Sequence, residues 1–211
     1  MSVAPSQLGR PVGADGEQTR SRIIAAAMRC VAEMGYSRTT IREIARAADM
    51  TSGSLYHYFP NKSELLQAAV TEMEGIAAPR LRAAAARADG AVDRLKAVLD
   101  ESSRLMREYP DLAAFEWVIR AEGVADADSR FAGGARFQAF REIIEGVVDD
   151  AYRRGELAHR QDRDSIVEAV YALVYGLTEL AATSPPRAYH AALDSAKNMI
   201  RGTLFAPGGP G

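Results

Sequence analysis

The chain has 211 residues, of which 47% are apolar and 26% charged, with a net charge of −2 and one cysteine, Cys30. This suffices for one large domain or two small ones, and it excludes an intrachain disulfide framework and a cysteine-only zinc cage. No segment has the layout of a signal peptide, and the longest nearly apolar run, Ala169 to Ala182, is shorter than the roughly 20 residues of a membrane span, so a soluble, cytoplasmic chain is expected.

In chain order, residues 1–17 are rich in Ser, Pro, Gly and Asp and predict a flexible arm. Ile23, Ala27, Cys30, Val31 and Met34 share one face of a first helix from about Thr19, stopped by Gly35. Thr40-Ile-Arg-Glu43 is a capping box that opens a short helix with Ile41, Ile44, Ala45 and Ala48 inward. Thr51 caps a third segment carrying Leu55 and Phe59. Asn61-Lys-Ser-Glu64 reads as a second capping box, opening a helix through Leu65, Leu66, Ala69, Val70 and Met73. Five longer periodic segments follow, marked by Val92 to Met106, Asp111 to Glu122, Phe137 to Ala151, Ile166 to Leu180 and Tyr189 to Leu204. Pro60, Pro79, Pro110 and Pro185-Pro186 are read as breaks between helices. The expected fold is all-α, about nine helices, with a head over 18–67, a helical body over 68–206 and a frayed tail over 207–211.

The head is the specific part. Two short helices over about 41–48 and 51–58, joined by a short connection, have the spacing of a helix-turn-helix, with Ala45 and Ala48 small enough for the crossing. The second would lie in the major groove with its N-terminal residues toward the bases. Thr51, Ser52 and Ser54 bring hydroxyls there, and Gly53 permits close approach. Tyr56, His57 and Tyr58 follow with groups that reach the backbone. Residues 18–67 carry Arg20, Arg22, Arg29, Arg38, Arg42, Arg46 and Lys62 against four acidic residues, a net +3 that leaves −5 for the rest. A basic module on an acidic body suits a polyanion partner.

Arg22-Ile-Ile-Ala-Ala-Ala27, Thr40-Ile-Arg-Glu-Ile-Ala45, Gly53-Ser-Leu-Tyr-His-Tyr-Phe59 and Asn61-Lys-Ser-Glu-Leu-Leu66 resemble the DNA-binding domain of the TetR family of transcriptional regulators. The resemblance covers Thr19 to Val70. It implies a homodimeric all-helical repressor that binds a palindromic operator and is released when its C-terminal domain takes up a small effector. Carried over by position, Ser52, Gly53 and Ser54 face bases, while Thr40, Tyr56, His57 and Lys62 face phosphates; Arg42 and Thr51 complete the DNA-facing set. About three or four cationic contacts per subunit are expected. Asp49 stands in the turn where the family usually has glycine, and aspartate tolerates a left-handed backbone better than most residues.

In the body, Met106, Tyr109, Phe115, Trp117, Ile119, Phe137, Phe140, Tyr171 and Tyr175 are candidate walls of an effector pocket. Glu116 and Arg120 are its candidate polar groups, the alternative being that these two simply pair with each other. The effector is expected to be small and largely apolar. Ile166, Val170, Leu173, Val174, Leu177, Leu193, Ala196, Met199 and Ile200 spread beyond a single stripe and are candidates for the dimer interface. No Gly-x-Ser-x-Gly elbow, Walker A loop, dinucleotide fingerprint or His-Glu-x-x-His occurs. No catalytic residue, cofactor or metal site is therefore expected, and a helical enzyme is the weaker alternative. An effector-independent architectural DNA-binding protein is the other, disfavoured because the residues beyond 70 are about twice what a DNA head requires.

Overall fold

The computed structural model describes residues 14–125, 138–157 and 162–202. Among them it has nine helices and no strand: α1 Ala14–Met34, α2 Ile41–Ala47, α3 Ser52–Tyr56, α4 Lys62–Ala86, α5 Ala91–Glu108, α6 Asp111–Ala125, α7 Gln138–Arg153, α8 Arg163–Thr183 and α9 Pro186–Arg201. The all-α expectation holds.

The helix starts follow the local chemistry. Thr40 completes the capping box of α2, accepting from the Glu43 amide at 3.3 Å while its own amide donates to the Glu43 carboxylate at 2.8 Å. Thr51 caps α3 through the Ser54 amide at 3.1 Å. Asn61 caps α4 through the Glu64 amide at 2.9 Å, but Glu64 reaches back to the Asn61 side-chain amide, so the box is only half formed. Gly35, at φ 87°, ends α1 in a conformation that glycine adopts without strain.

Three expected boundaries move. Residues 14–17, assigned to the arm, belong to α1, where Asp15 and Glu17 complement the helix N-terminus and the Thr19 hydroxyl bonds the Asp15 carbonyl at 2.8 Å. The third helix is shorter than expected and ends at Tyr56. Pro79 does not break the chain but lies inside the 25-residue α4. A prolyl ring forfeits the bond to the carbonyl four residues earlier and crowds it. That residue is Gly75, and both Gly75 and Pro79 are on the exposed side of α4. The expected boundary at 67/68 therefore falls inside one continuous helix.

The apolar residues collect in layers. The head core joins Ile23, Val31, Ile44, Leu55, Leu65 and Leu66 to Phe115 and Ile119 from α6. Leu81, Val98, Leu105, Ile143 and Val147 join α4, α5 and α7. Leu99, Leu177, Tyr189, Leu193 and Ala196 join α5, α8 and α9. A fourth cluster, Ile144, Val148 and Val167, fastens α7 to α8.

Helix α8 is longer than the apolar run it contains. By length and composition alone it is long and apolar enough to cross a membrane, with a mean hydropathy of 1.4, and only 17% of that window is buried within the chain. Three of the expected interface residues, Leu177, Leu193 and Ala196, are instead buried in the chain's own core. Their facing partners, Leu99 and Tyr189, come from the same chain. Ile166, Val170, Leu173, Val174 and Ile200 are half-buried, and Met199 is exposed.

Candidate nucleic-acid interface and internal chamber

The turn between α2 and α3 sets the geometry of the head. Asp49 has φ 54°, the left-handed conformation expected where glycine is usual, and the Met50 amide then donates to the Ala45 carbonyl at 2.9 Å. Ala45 and Ala48, each 1% exposed, sit at the crossing, where a larger side chain would force the helices apart.

The outer face of this pair is an open groove of about 850 Å³ lined by Thr40, Arg42, Glu43, Arg46, Asp49, Met50, Thr51 and Ser52. Four of the expected DNA-facing residues thus share one concave surface. Gly53, Ser54, Tyr56 and His57 are exposed on α3 and at its end, with Tyr56 at 52%. Phe59 is buried, as aromatics at helical spacing usually are. Arg46, one helical turn beyond Arg42, belongs to the groove but was not among the expected contacts; its spacing was the available signal. The Thr51 and Ser54 hydroxyls lie 2.9 Å apart, so each holds the other in place.

Lys62 departs from expectation. Its ammonium donates to the Tyr36 carbonyl and sits 4.3 Å from the Tyr36 ring centre. Burial lowers its pKa, against the opposing pull of Glu122 and Glu43. In this arrangement it ties the start of α4 to the α1–α2 turn, and a phosphate would have to compete for it.

The same turn is gripped from the body by a residue that sequence reasoning missed. The Glu122 carboxylate, near the end of α6, accepts from the Tyr36 amide at 3.0 Å, the Ser37 amide at 2.8 Å and the Ser37 hydroxyl at 2.7 Å. Burial pushes this carboxyl up, but the bonds from Ser37 and Tyr36 and the Lys62 charge outweigh it and hold the group below its ordinary pKa. A Cβ on Gly35 would meet Glu122 Oε1 at 2.7 Å, so the grip depends on that glycine twice, for its φ and for its missing side chain.

The body holds a partly open chamber of about 50 Å³. Its walls are Met73, Glu74, Ala77, Ala78 and Leu81 from α4, Ser102, Leu105 and Met106 from α5, Leu112 and Glu116 from α6, and Ala139 and Phe140 from α7. Of the expected pocket residues, Met106, Glu116 and Phe140 line it. Phe115 and Ile119 do not; they point the other way, into the head core. Tyr109, at the end of α5, is 37% exposed. Phe137 lies outside the described residues.

Arg120, Trp117, Tyr171 and Tyr175 form a cluster beside the chamber, between α6 and α8. Arg120 does pair with Glu116, through Nε at 3.0 Å and Nη2 at 2.7 Å, and also donates to the Tyr171 hydroxyl. Its guanidinium lies 5.5 Å and 5.6 Å from the Tyr171 and Tyr175 ring centres, and Trp117 packs on Tyr175 at 5.7 Å. Burial raises the Glu116 pKa despite the Arg120 charge, and the Glu74 charge adds to that rise.

Helix α6 therefore touches both sites. Leu112 and Glu116 face the chamber, while Phe115, Ile119 and Glu122 hold the head.

Comparison with known proteins agrees with this layout. Residues 23–69 match the family model described as bacterial regulatory proteins, tetR family. The transcriptional repressor KstR of Mycobacterium tuberculosis is 31% identical over 155 residues, 73% of this chain and 66% of that protein. The transcriptional regulator TtgR of Pseudomonas putida is 27% identical over 172 residues, 77% of this chain and 80% of that one. Among solved structures, the transcriptional regulator FadR of Bacillus subtilis in complex with stearoyl-CoA superposes with a TM-score of 0.76 at 19% identity, covering 88% of this chain and 99% of that one. With its helix-turn-helix head joined to a chambered helical body, the chain is a helix-turn-helix regulator that belongs to the TetR family.

Proposed function

We propose that the chain is a transcriptional repressor of the cytoplasm that grips a twofold operator as a homodimer and lets go when a small effector enters the chamber. The observation that carries this reading is the double engagement of α6, with Glu116 in the chamber wall and Glu122 on the head. A ligand that shifts α6 moves the acceptor holding the α1–α2 turn, and with it the orientation of α2 and α3. The ligand must discriminate between the two arrangements: shifting the DNA-competent fraction from 99% to 1% takes about 5.5 kcal/mol.

The poorly covered apolar surface of α8 and the exposed Met199 on α9 support a second copy as the covering partner. Half-sites about 34–36 Å apart would then meet the two heads. The chamber argues against an architectural protein that needs no effector.

Selection of duplexes from a random pool by the intact protein tests this. The recovered site should have twofold symmetry. With Lys62 occupied at Tyr36, two or three cations per subunit remain, so about four to six phosphates are neutralised by the dimer, and log affinity should fall with log salt at a slope of about −4 to −5. Recovery of asymmetric sites, or an affinity indifferent to salt, would contradict the proposal.

A further inference from the structure

Among the described residues, the chamber holds carboxylate oxygens that its own groups leave unmatched. Glu74 Oε1 is completely shielded from solvent and has no hydrogen-bond partner. Glu116 lines the same chamber and feels the Glu74 charge. The cation beside them is Arg120, and both of its bonds to this pair go to a single oxygen, Glu116 Oε1. The guanidinium thus pairs with Glu116, and among the described residues Glu74 has no ion pair. The rest of the wall is apolar apart from the Ser102 hydroxyl.

Glu101 on α5 shows how the fold treats a buried carboxylate that has only a structural task. Its side chain is 8% exposed, and two arginines, Arg80 and Arg104, bind its two oxygens separately. Burial raises the Glu101 carboxyl, but the two arginines more than reverse this, whereas Glu116 stays raised. A buried oxygen left unmatched is costly, and more so when charged. A fold that keeps one at the wall of an apolar chamber has a donor missing.

We infer that the chamber takes an amphipathic cation: a compact apolar body bearing a protonated amine, whose N–H groups face Glu74 and the free oxygen of Glu116. The inference rests on the effector reading above and names the ligand class. An ammonium supplies up to three donors, matching one orphan oxygen and one half-used carboxylate. The apolar body would lie against Leu105, Met106 and Phe140. At about 50 Å³ the chamber holds roughly three to five waters at about 10–15 Å³ each. A longer chain must part α4 from α6, which is the movement that loosens the head.

The test compares octylamine, octan-1-ol and octanoate, three ligands with one tail and different heads, titrated calorimetrically at pH 7 into the intact protein below their aggregation limits. Octylamine should bind at least tenfold more tightly than the other two, and the preference should vanish in Glu74→Gln combined with Glu116→Gln, which keep shape and remove charge. Equal or tighter binding of the alcohol or the acid, or no binding of any of the three, overturns the inference, and titration of the unsubstituted protein is enough to decide it. The selected duplex separates the two readings. If octanoate rather than octylamine releases it, the repressor reading stands and the cationic class falls. If no duplex is held at all, the repressor reading falls, whatever the amine does.

Discussion

Phe115→Ala should cost about 3–5 kcal/mol of stability, the usual loss for a buried aromatic truncated to alanine. Phe115 has no exposed surface and belongs to the same core as Ile23, Val31, Leu65 and Leu66, although it comes from α6. Removing its ring opens a void where head and body meet. Out of a typical total of about 5–15 kcal/mol this is a large fraction, and it falls on the junction. Urea unfolding followed by circular dichroism measures it. The midpoint should fall, and the loss should appear in the melting of the head as well as of the body. A loss below about 1 kcal/mol would mean that α6 does not pack on the head as described.

Glu122→Ala should have the second-largest effect and should be lost in acid. The substitution removes the acceptor of three hydrogen bonds, from the Tyr36 amide, the Ser37 amide and the Ser37 hydroxyl. Ser37 is exposed and water replaces much of what it loses, so a total of about 1–3 kcal/mol is expected at pH 7 rather than three full penalties. The folded-state pKa of Glu122 lies below its ordinary value. Its stabilisation is therefore fully present above the unfolded pKa of about 4.3 and is lost as pH falls through the lower folded value. The difference between the unsubstituted protein and Glu122→Ala, measured by urea unfolding at pH 7 and again near pH 3, should shrink. A difference that stays constant would mean that the carboxylate charge contributes nothing to the grip. In the repressor reading the same variant should also weaken the link between effector and DNA.

The helix-turn-helix was legible because its signals are local. Thr40 with Glu43, Thr51 with Ser54, and the two small residues at the crossing specify three elements within about fifteen residues, and the structure reproduces them. Asp49 was legible as a left-handed turn for the same reason. The course of α4 through Pro79 was not, because the rule that proline ends a helix assumes a crowded carbonyl four residues earlier, and Gly75 with solvent access relaxes that assumption.

The body was legible as helices but not as sites. Phe115 and Glu116 are neighbours, and periodicity does not say which of two cores each helix face will meet. Here α6 lies between the head core and the chamber, so Phe115 and Ile119 turn one way and Glu116 the other. Glu74 carried no sequence signal, being a charged residue within an otherwise ordinary helix; only the enclosure of its oxygen distinguishes it. Glu122 is similar, since its partners lie 85 and 86 residues away in the chain. For the dimer, the apolar breadth of α8 and α9 is visible in the sequence, but it does not separate residues covered by the chain itself, such as Leu177 and Leu193, from those left for a partner, such as Met199.

In the repressor reading α2 and α3 present the surface that meets DNA. Photo-crosslinking to a selected duplex carrying bromodeoxyuridine, followed by identification of the attached peptides, tests it most directly. Crosslinks should map to residues 40–58, with Tyr56 or His57 among them, and excess effector should abolish them. Crosslinks confined to α8 and α9, with none in 40–58, would mean that α2 and α3 do not meet DNA.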